Sequence, residues 1–106
     1  MYVKIQKSTN KDKKLMAIYF NKDKQKIKTT HFGASGYSDY TQHKDDERKQ
    51  RYILRHKNNE DWNDYMTAGS LSRYILWNKP TLRESLINYV INHPNIKLSE
   101  NFKIVF

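Results

Sequence analysis

The stretch that decides the fold is LMAIYF, residues Leu15–Phe20. Its residues are apolar on both faces of an extended chain, which is typical of a strand that neighbours cover on every side. The segments on either side, KSTNKDKK and NKDKQ, have the polar composition of turns. The sequence therefore predicts a central strand with a partner strand before it and another after it.

The two partner strands have weaker but consistent patterns. In YVKIQ, Val3 and Ile5 alternate with polar side chains, as they do when one face of a strand is buried. The segment Ile27–Phe32 follows the second turn and is rich in strand-forming residues. Together the three segments predict a three-stranded antiparallel meander at the N-terminus.

The rest of the chain predicts about three helices. One spans about Asp45–Lys57, with acidic residues first and basic residues last, as the helix dipole favours. A second spans about Thr67–Trp77, and a third opens with the capping box formed by Thr81 and Glu84. The alternating tail NFKIVF, residues 101–106, predicts a C-terminal edge strand. The fold class is thus α+β, and we expect one domain over residues 1–106.

The composition excludes several classes of protein. The chain has no cysteine, which rules out disulfides, thiolate metal sites and a cysteine nucleophile. No apolar run approaches the roughly 18 residues of a membrane span. The first residues, MYVKIQKSTNK, lack the apolar stretch of a secretory signal. We expect an intracellular protein without a membrane association, and no motif calls for a cofactor.

The positive charge is concentrated in the first third of the chain. The net charge is +9, and residues 1–30 hold nine lysines against Asp12 and Asp23, which gives +7. Residues 31–66 sum to −1 and residues 67–106 to +3. A lysine-rich segment favours non-specific contact with polyanions, because ammonium groups act as point charges on phosphates. The alternative is that these lysines serve only solubility.

The segment Gly36–His56 holds the densest set of reactive side chains. Gly33 and Gly36 mark a specific turn before it, but they lack the spacing of a phosphate-binding P-loop. Four basic residues recur at helical spacing after the turn, namely Lys44, Arg48, Arg51 and Arg55. They form a stripe that could follow a phosphate backbone. Two tyrosines beside the stripe could stack on bases. The candidates for nucleic-acid binding are Lys4, Lys14, Lys24, Lys26, Lys28, Lys44, Arg48, Arg51, Arg55, Tyr37 and Tyr40, with Lys11, Lys13 and Lys22 among the other lysines of the sheet. The alternative for the stripe is a solvated or ion-paired helix face.

A metal or hydrolytic site is the sharpest chemical hypothesis for the same segment. His43 stands at helical spacing from Asp46 and Glu47, as His56 does from Glu60, and such pairs can place two ligands on one face. His43, His56 and Glu60 are therefore candidate ligands. The spacings match no specific metal motif, and a histidine more often makes one structural hydrogen bond. These residues therefore stay weak candidates.

Several motifs occur together in the order HFG, DYTxHKD, RH and TAGxLSRxxLWNKPT, between about Ile18 and Tyr89. In these motifs the chain resembles a family of small, basic, uncharacterised proteins of giant DNA viruses of the mimivirus and phycodnavirus type. The resemblance implies a viral protein of the virion, the host cytoplasm or the viral factory, with other viral proteins as partners. It carries over no catalytic residues.

The leading hypothesis is a non-enzymatic viral protein that contacts DNA or RNA through charge, without sequence preference. A protein–protein or capsid-scaffolding module is the first alternative. A metal-dependent nuclease using His43, His56 and nearby carboxylates is the second.

Overall fold

The structure is a computed structural model, and it describes residues 1–98. Strands β1 (Tyr2–Lys7), β2 (Lys13–Phe20) and β3 (Lys26–Ala34) form the predicted meander, with β2 antiparallel to both neighbours. The fold class α+β is therefore confirmed. The strand predicted for residues 101–106 lies outside the described residues.

A short fourth strand extends the sheet on the β1 side. β4 (Lys97–Leu98) runs parallel to β1, and the strand order is β3-β2-β1-β4. β2 is hydrogen-bonded on both edges, as its apolar sequence predicted. Its residues Leu15, Ala17 and Tyr19 are buried and belong to the core.

Four helical segments follow the meander. They are α1 (Tyr40–His43), α2 (Asp46–His56), α3 (Ala68–Leu71), which continues as a π-helical turn over Ser72–Leu76, and α4 (Leu82–Asn92). α2 and α4 match two of the predicted helices to within one or two residues. No helix within residues 1–98 is long and apolar enough to cross a membrane.

Helix α1 was not predicted, although a local signal for it is present. The Asp39 carboxylate accepts from the backbone N–H of Thr41, and the Gln42 side chain accepts from the Asp39 N–H at 3.0 Å. These bonds form an Asp-x-x-Gln capping box. The helix ends at Lys44, whose φ of 55° is left-handed. Lys44 thus separates α1 from α2, and the prediction that it shares one helical stripe with Arg48 was wrong.

The helix predicted over Thr67–Trp77 is not a regular α-helix. After one turn the hydrogen bonding changes, and the Trp77 N–H donates to the Ser72 carbonyl at 3.0 Å, five residues back. Ile75 and Leu76 are both buried, and Trp77 packs against the core. The π-helical turn therefore directs three consecutive apolar residues inward.

One core joins the sheet to the helices. The buried apolar side chains come from one face of the meander, from α3 with its π-helical turn, from α4 and from the segment before β4. They are Val3, Ile5, Leu15, Ala17, Tyr19, Phe32, Leu71, Ile75, Leu76, Leu86, Tyr89 and Ile96. Two buried hydroxyl groups of this core bond each other, since those of Tyr19 and Tyr89 are 2.8 Å apart.

Candidate functional site

A buried ion pair between β2 and α1 forms the centre of the site. Asp39 is only 3% exposed, and its Oδ2 accepts from Lys14 Nζ at 2.6 Å. Its Oδ1 accepts from the backbone N–H and the hydroxyl of Thr41. Lys14 Nζ also donates to Gln42 Oε1 at 2.9 Å. The buried carboxylate is thus neutralised and fully hydrogen-bonded.

A cavity of about 860 Å³ on one side of this pair is rich in lysine, and we call it the lysine lobe. Lys7, Lys11, Lys13 and Lys44 line it together with Lys14. Hydroxyl groups and an apolar floor complete the lining, supplied by Ser8, Ser35, Thr41, Thr81, Leu15, Leu76, Pro80 and Leu82. Of the described residues that line the lobe, Asp39 alone is acidic, and Lys14 pairs with it. The lobe therefore presents an excess of positive charge.

A second cavity of about 550 Å³ combines arginines with aromatic rings, and we call it the arginine–aromatic lobe. Its lining includes two arginines and four rings, namely Arg48, Arg55, His56, Tyr37, Tyr52 and Trp77. Glu60 also lines it but is engaged, since its carboxylate bonds His56 Nδ1 at 3.1 Å and Trp62 Nε1 at 3.0 Å. The two lobes adjoin, because Lys13, Lys14, Asp39 and Leu76 line both. We call the two adjoining lobes together the basic groove.

A stack of rings forms one wall of the arginine–aromatic lobe. Tyr52 lies parallel to Trp77 at 4.3 Å, with 2° between the ring planes, and His56 stacks on Tyr52 at 4.3 Å. His43 contacts Trp77 at 5.3 Å and continues the row. Burial raises the pKa of Tyr52 to about 12, so this ring is neutral at physiological pH. The stack joins α1, α2 and the π-helical turn.

His43 closes the inner end of the stack as a neutral ring. Burial, with the nearby Arg48, lowers the pKa of His43. Its Nδ1 accepts from the Asp45 N–H at 2.9 Å, which leaves the ring proton on Nε2. That Nε2 is buried and has no hydrogen-bond partner among residues 1–98. His43 is therefore a packing residue of the α1–α2 junction in this structure.

The structure gathers seven of the predicted binding residues along the groove, including Lys11 and Lys13 of the lysine lobe. Tyr37, Arg48 and Arg55 line the arginine–aromatic lobe, and Lys44 lines the lysine lobe. Lys14 lines both lobes, but its ammonium group is held by Asp39. These residues come from three separate parts of the chain.

Other predicted residues lie away from the groove. Lys24 belongs to the β2–β3 turn, and Lys26 and Lys28 follow in β3, which places all three at the far end of the meander. Lys4 alternates with the core residues of β1 and pairs with Ile18 on the opposite face of the sheet. Arg51 lies closer but lines neither lobe: it is exposed, with its guanidinium 4.0 Å from Glu47, and it lines a third cavity together with Arg48, Arg55 and Trp77.

Tyr40 is not accessible to a base. Its side chain is 6% exposed, its hydroxyl donates to Asp46, and Lys49 Nζ lies 4.8 Å from the ring centroid. Tyr40 therefore packs α1 on α2, and we remove it from the predicted binding surface.

The predicted metal ligands do not converge. His56 and Glu60 are in contact, as their spacing predicted, but His43 lies at the other end of the ring stack. In the part of the chain that the structure describes, no three histidine or carboxylate side chains form a group that could hold a metal ion.

Sequence reasoning missed Lys7 and the ring stack. Lys7 pairs with Leu15 in the sheet and so faces the lysine lobe beside the first turn. The hairpin register that sets this position follows from the alternation in β1 and the geometry of the first turn, so the signal was available. The contact of Trp77 with Tyr52 joins residues far apart in sequence, and no local pattern predicts this contact.

Residues 3–56 match the model of a protein family described as a family of unknown function, DUF5754. This segment covers 54 of the 106 residues. The chain belongs to this family. The DUF5754 segment runs from β1 to the end of α2, and it contains most of the charged residues of the groove. No match was found among the curated proteins or among the solved structures.

Proposed function

We propose that this DUF5754 protein binds nucleic acid by electrostatic contact of the groove with phosphates, without sequence preference. One observation carries the proposal: the two adjoining cavities are lined by lysines and arginines, while the acidic groups Asp39 and Glu60 that line them are already engaged. The groove thus concentrates positive charge where a backbone could lie.

The chemistry of the groove agrees with phosphate as the ligand. Ammonium groups attract phosphates as point charges, and hydroxyls such as those of Ser35 and Thr81 can donate to phosphate oxygens. A lysine-rich lobe carries little shape information, so the binding is expected to tolerate any base sequence. The net charge of +9 adds long-range attraction for a polyanion.

The test compares two triple variants that remove equal charge. The first changes Lys7, Lys11 and Lys13 of the groove to Gln, and the second changes Lys22, Lys24 and Lys26 at the far end of the meander. All six lysines are exposed, so neither variant changes a side chain of the core. Binding of random-sequence DNA and RNA is followed by fluorescence anisotropy at low and moderate salt.

We expect the groove variant to lose at least tenfold in affinity and the far-end variant to lose much less. Wild-type affinity should fall steeply as salt rises. Absence of binding to either nucleic acid at low salt would contradict the proposal. Equal losses in both variants would show that the positive charge acts diffusely and that the groove has no special part.

The cellular setting is a separate part of the proposal. It is supported by the sequence resemblance to giant-virus proteins alone, which implies a location in the virion or the viral factory. Mass spectrometry of purified virus particles and of infected-cell fractions would test it, and detection in neither would contradict it.

A further inference from the structure

We infer that the groove takes single-stranded rather than duplex nucleic acid, with one unstacked base seated in the arginine–aromatic lobe. This inference rests on the proposed function and adds the class of ligand. It starts from the chemical difference between two adjoining lobes that share only four lining residues. The lysine lobe offers ammonium groups, hydroxyls and an aliphatic floor, whereas its neighbour offers ring faces and planar guanidinium groups.

The second lobe has accessible groups on which a base can stack. Tyr37 is 74% exposed at the cavity, although it is a large aromatic residue. His56 ends the ring stack: Tyr52 covers one of its faces, and the side chain keeps 36% exposure. Arg48 and Arg55 line the same cavity, and guanidinium planes also stack on bases.

The rings of Tyr52 and Trp77 form a fixed wall beside this proposed base-binding site. Tyr52 has His56 on one side and Trp77 on the other, so its faces are occupied and it serves as a wall. Arg48 Nη2 donates to Ser38 Oγ at 3.2 Å, which ties α2 to the loop that carries Tyr37. The ring wall of the base site therefore exists before a ligand arrives, and the cost of ordering this wall on binding is small.

These two lobes distinguish single strands from duplexes. A duplex keeps the faces of its bases stacked inside and offers the protein its phosphates and groove edges. A single strand can lay its phosphates along the lysine lobe and turn one base into the neighbouring cavity. That cavity, of about 550 Å³, is within the usual range for small-molecule pockets, about 300 to 1,000 Å³.

The experiment measures binding of a short mixed-sequence oligonucleotide, single-stranded or annealed to its complement, by anisotropy. Tyr37→Leu removes the ring but keeps an apolar side chain, and Tyr37→Phe keeps the ring. We expect the single strand to bind at least tenfold more tightly than the duplex. Tyr37→Leu should weaken single-strand binding about five- to a hundredfold and leave duplex binding unchanged, while Tyr37→Phe stays near wild type.

A second readout locates the base. Trp62→Phe leaves Trp77 as the sole tryptophan of the chain, and Trp77 lines the arginine–aromatic lobe. Binding of the single strand should change Trp77 emission, and the duplex should change it much less.

Each other result overturns the inference in a recognisable way. Equal affinity for both forms, with no effect of Tyr37→Leu, refutes the base seat but leaves the electrostatic function standing. If a mononucleotide binds as tightly as the oligonucleotide, the lobe is a pocket for free nucleotides and does not bind a base within a longer strand. Absence of binding to any of these ligands refutes the proposed function itself.

Discussion

At the scale of single residues, the two glycines of the β3–α1 region both have a positive φ but differ in their surroundings. Gly33 has a φ of 80° and Gly36 a φ of 87°. A Cβ at Gly33 would lie 2.6 Å from Leu76 Cδ1, whereas a Cβ at Gly36 would meet nothing within 4 Å. Gly33 therefore permits both the left-handed backbone and the close approach of the π-helical turn.

We predict that Gly33→Ala destabilises the protein more than Gly36→Ala. The left-handed conformation costs an alanine about 1 to 2 kcal/mol at either position. At Gly33 the clash with Leu76 adds about 1 to 3 kcal/mol. Urea denaturation followed by tryptophan fluorescence measures both variants against wild type. Equal losses would show that Leu76 gives way without cost.

The Lys14–Asp39 pair allows a second prediction at this scale. Asp39→Asn leaves the partly buried ammonium group of Lys14 without its counter-charge and should lower the free energy of unfolding by about 3 kcal/mol. Glu47→Gln is the matched control: it removes the carboxylate 4.0 Å from Arg51, where both side chains are exposed, and should cost less than about 0.5 kcal/mol. Chemical denaturation compares them, and similar losses would argue against a structural ion pair.

The sequence could indicate some of these residues but not their partners. Two glycines close together in a chain that has only three suggested a special turn, and both have positive φ. Lys14 and Asp39, in contrast, stand 25 residues apart, and many other lysines are equally good candidates to pair with Asp39. Only the packing of β2 beside α1 selects among them.

At the scale of elements, local periodicity predicted the strands and the longer helices well. It failed where geometry changes within a few residues. The α1 helix has only four residues, too few for a repeating pattern, so its capping box was the sole signal. In the segment Ala68–Leu76 the apolar pattern indicated a helix but could not distinguish α from π hydrogen bonding.

The link between β2 and α4 gives a prediction about pH. The hydroxyls of Tyr19 and Tyr89 are 2.8 Å apart, and Tyr89 also donates to the Tyr65 carbonyl at 2.8 Å. Burial raises the pKa of both, that of Tyr89 to about 12. In the unfolded chain these tyrosines ionise near an ordinary pKa of about 10. Above that pH the unfolded state binds fewer protons than the folded state, so stability falls as pH rises.

We therefore expect the contribution of Tyr89 to be complete below pH 10 and to be lost as the pH approaches 12, by roughly 2 to 3 kcal/mol. Urea denaturation at a series of alkaline pH values should show this decline. Tyr89→Phe should make the decline shallower, because the substituted ring has no proton to lose. An equally steep decline in the variant would assign the alkaline instability to other groups.

At the scale of the whole molecule, the sequence predicts the amount of positive charge but not where that charge lies on the folded surface. The sequence places a charge of +7 in residues 1–30 and −1 in residues 31–66. These sums suggested that the acidic residues in and around helix α2 nearly cancel its positive charge. Folding brings Lys7, Lys11 and Lys13 of the first group beside Arg48 and Arg55 of the second. The basic groove thus arises from tertiary structure, and a count along the chain divides it between two segments.

This arrangement predicts how binding depends on salt. Each phosphate contact with single-stranded nucleic acid contributes about 0.7 to the slope of log affinity against log salt concentration. Replacing Lys7, Lys11 and Lys13 by Gln should therefore reduce the magnitude of the slope by about 2. Replacing Lys22, Lys24 and Lys26 lowers the net charge equally but should leave the slope nearly unchanged, because these lysines do not line the groove. Anisotropy titrations over a range of salt concentrations give both slopes. If the two slopes fall together, net charge and not the groove governs the contact with phosphate.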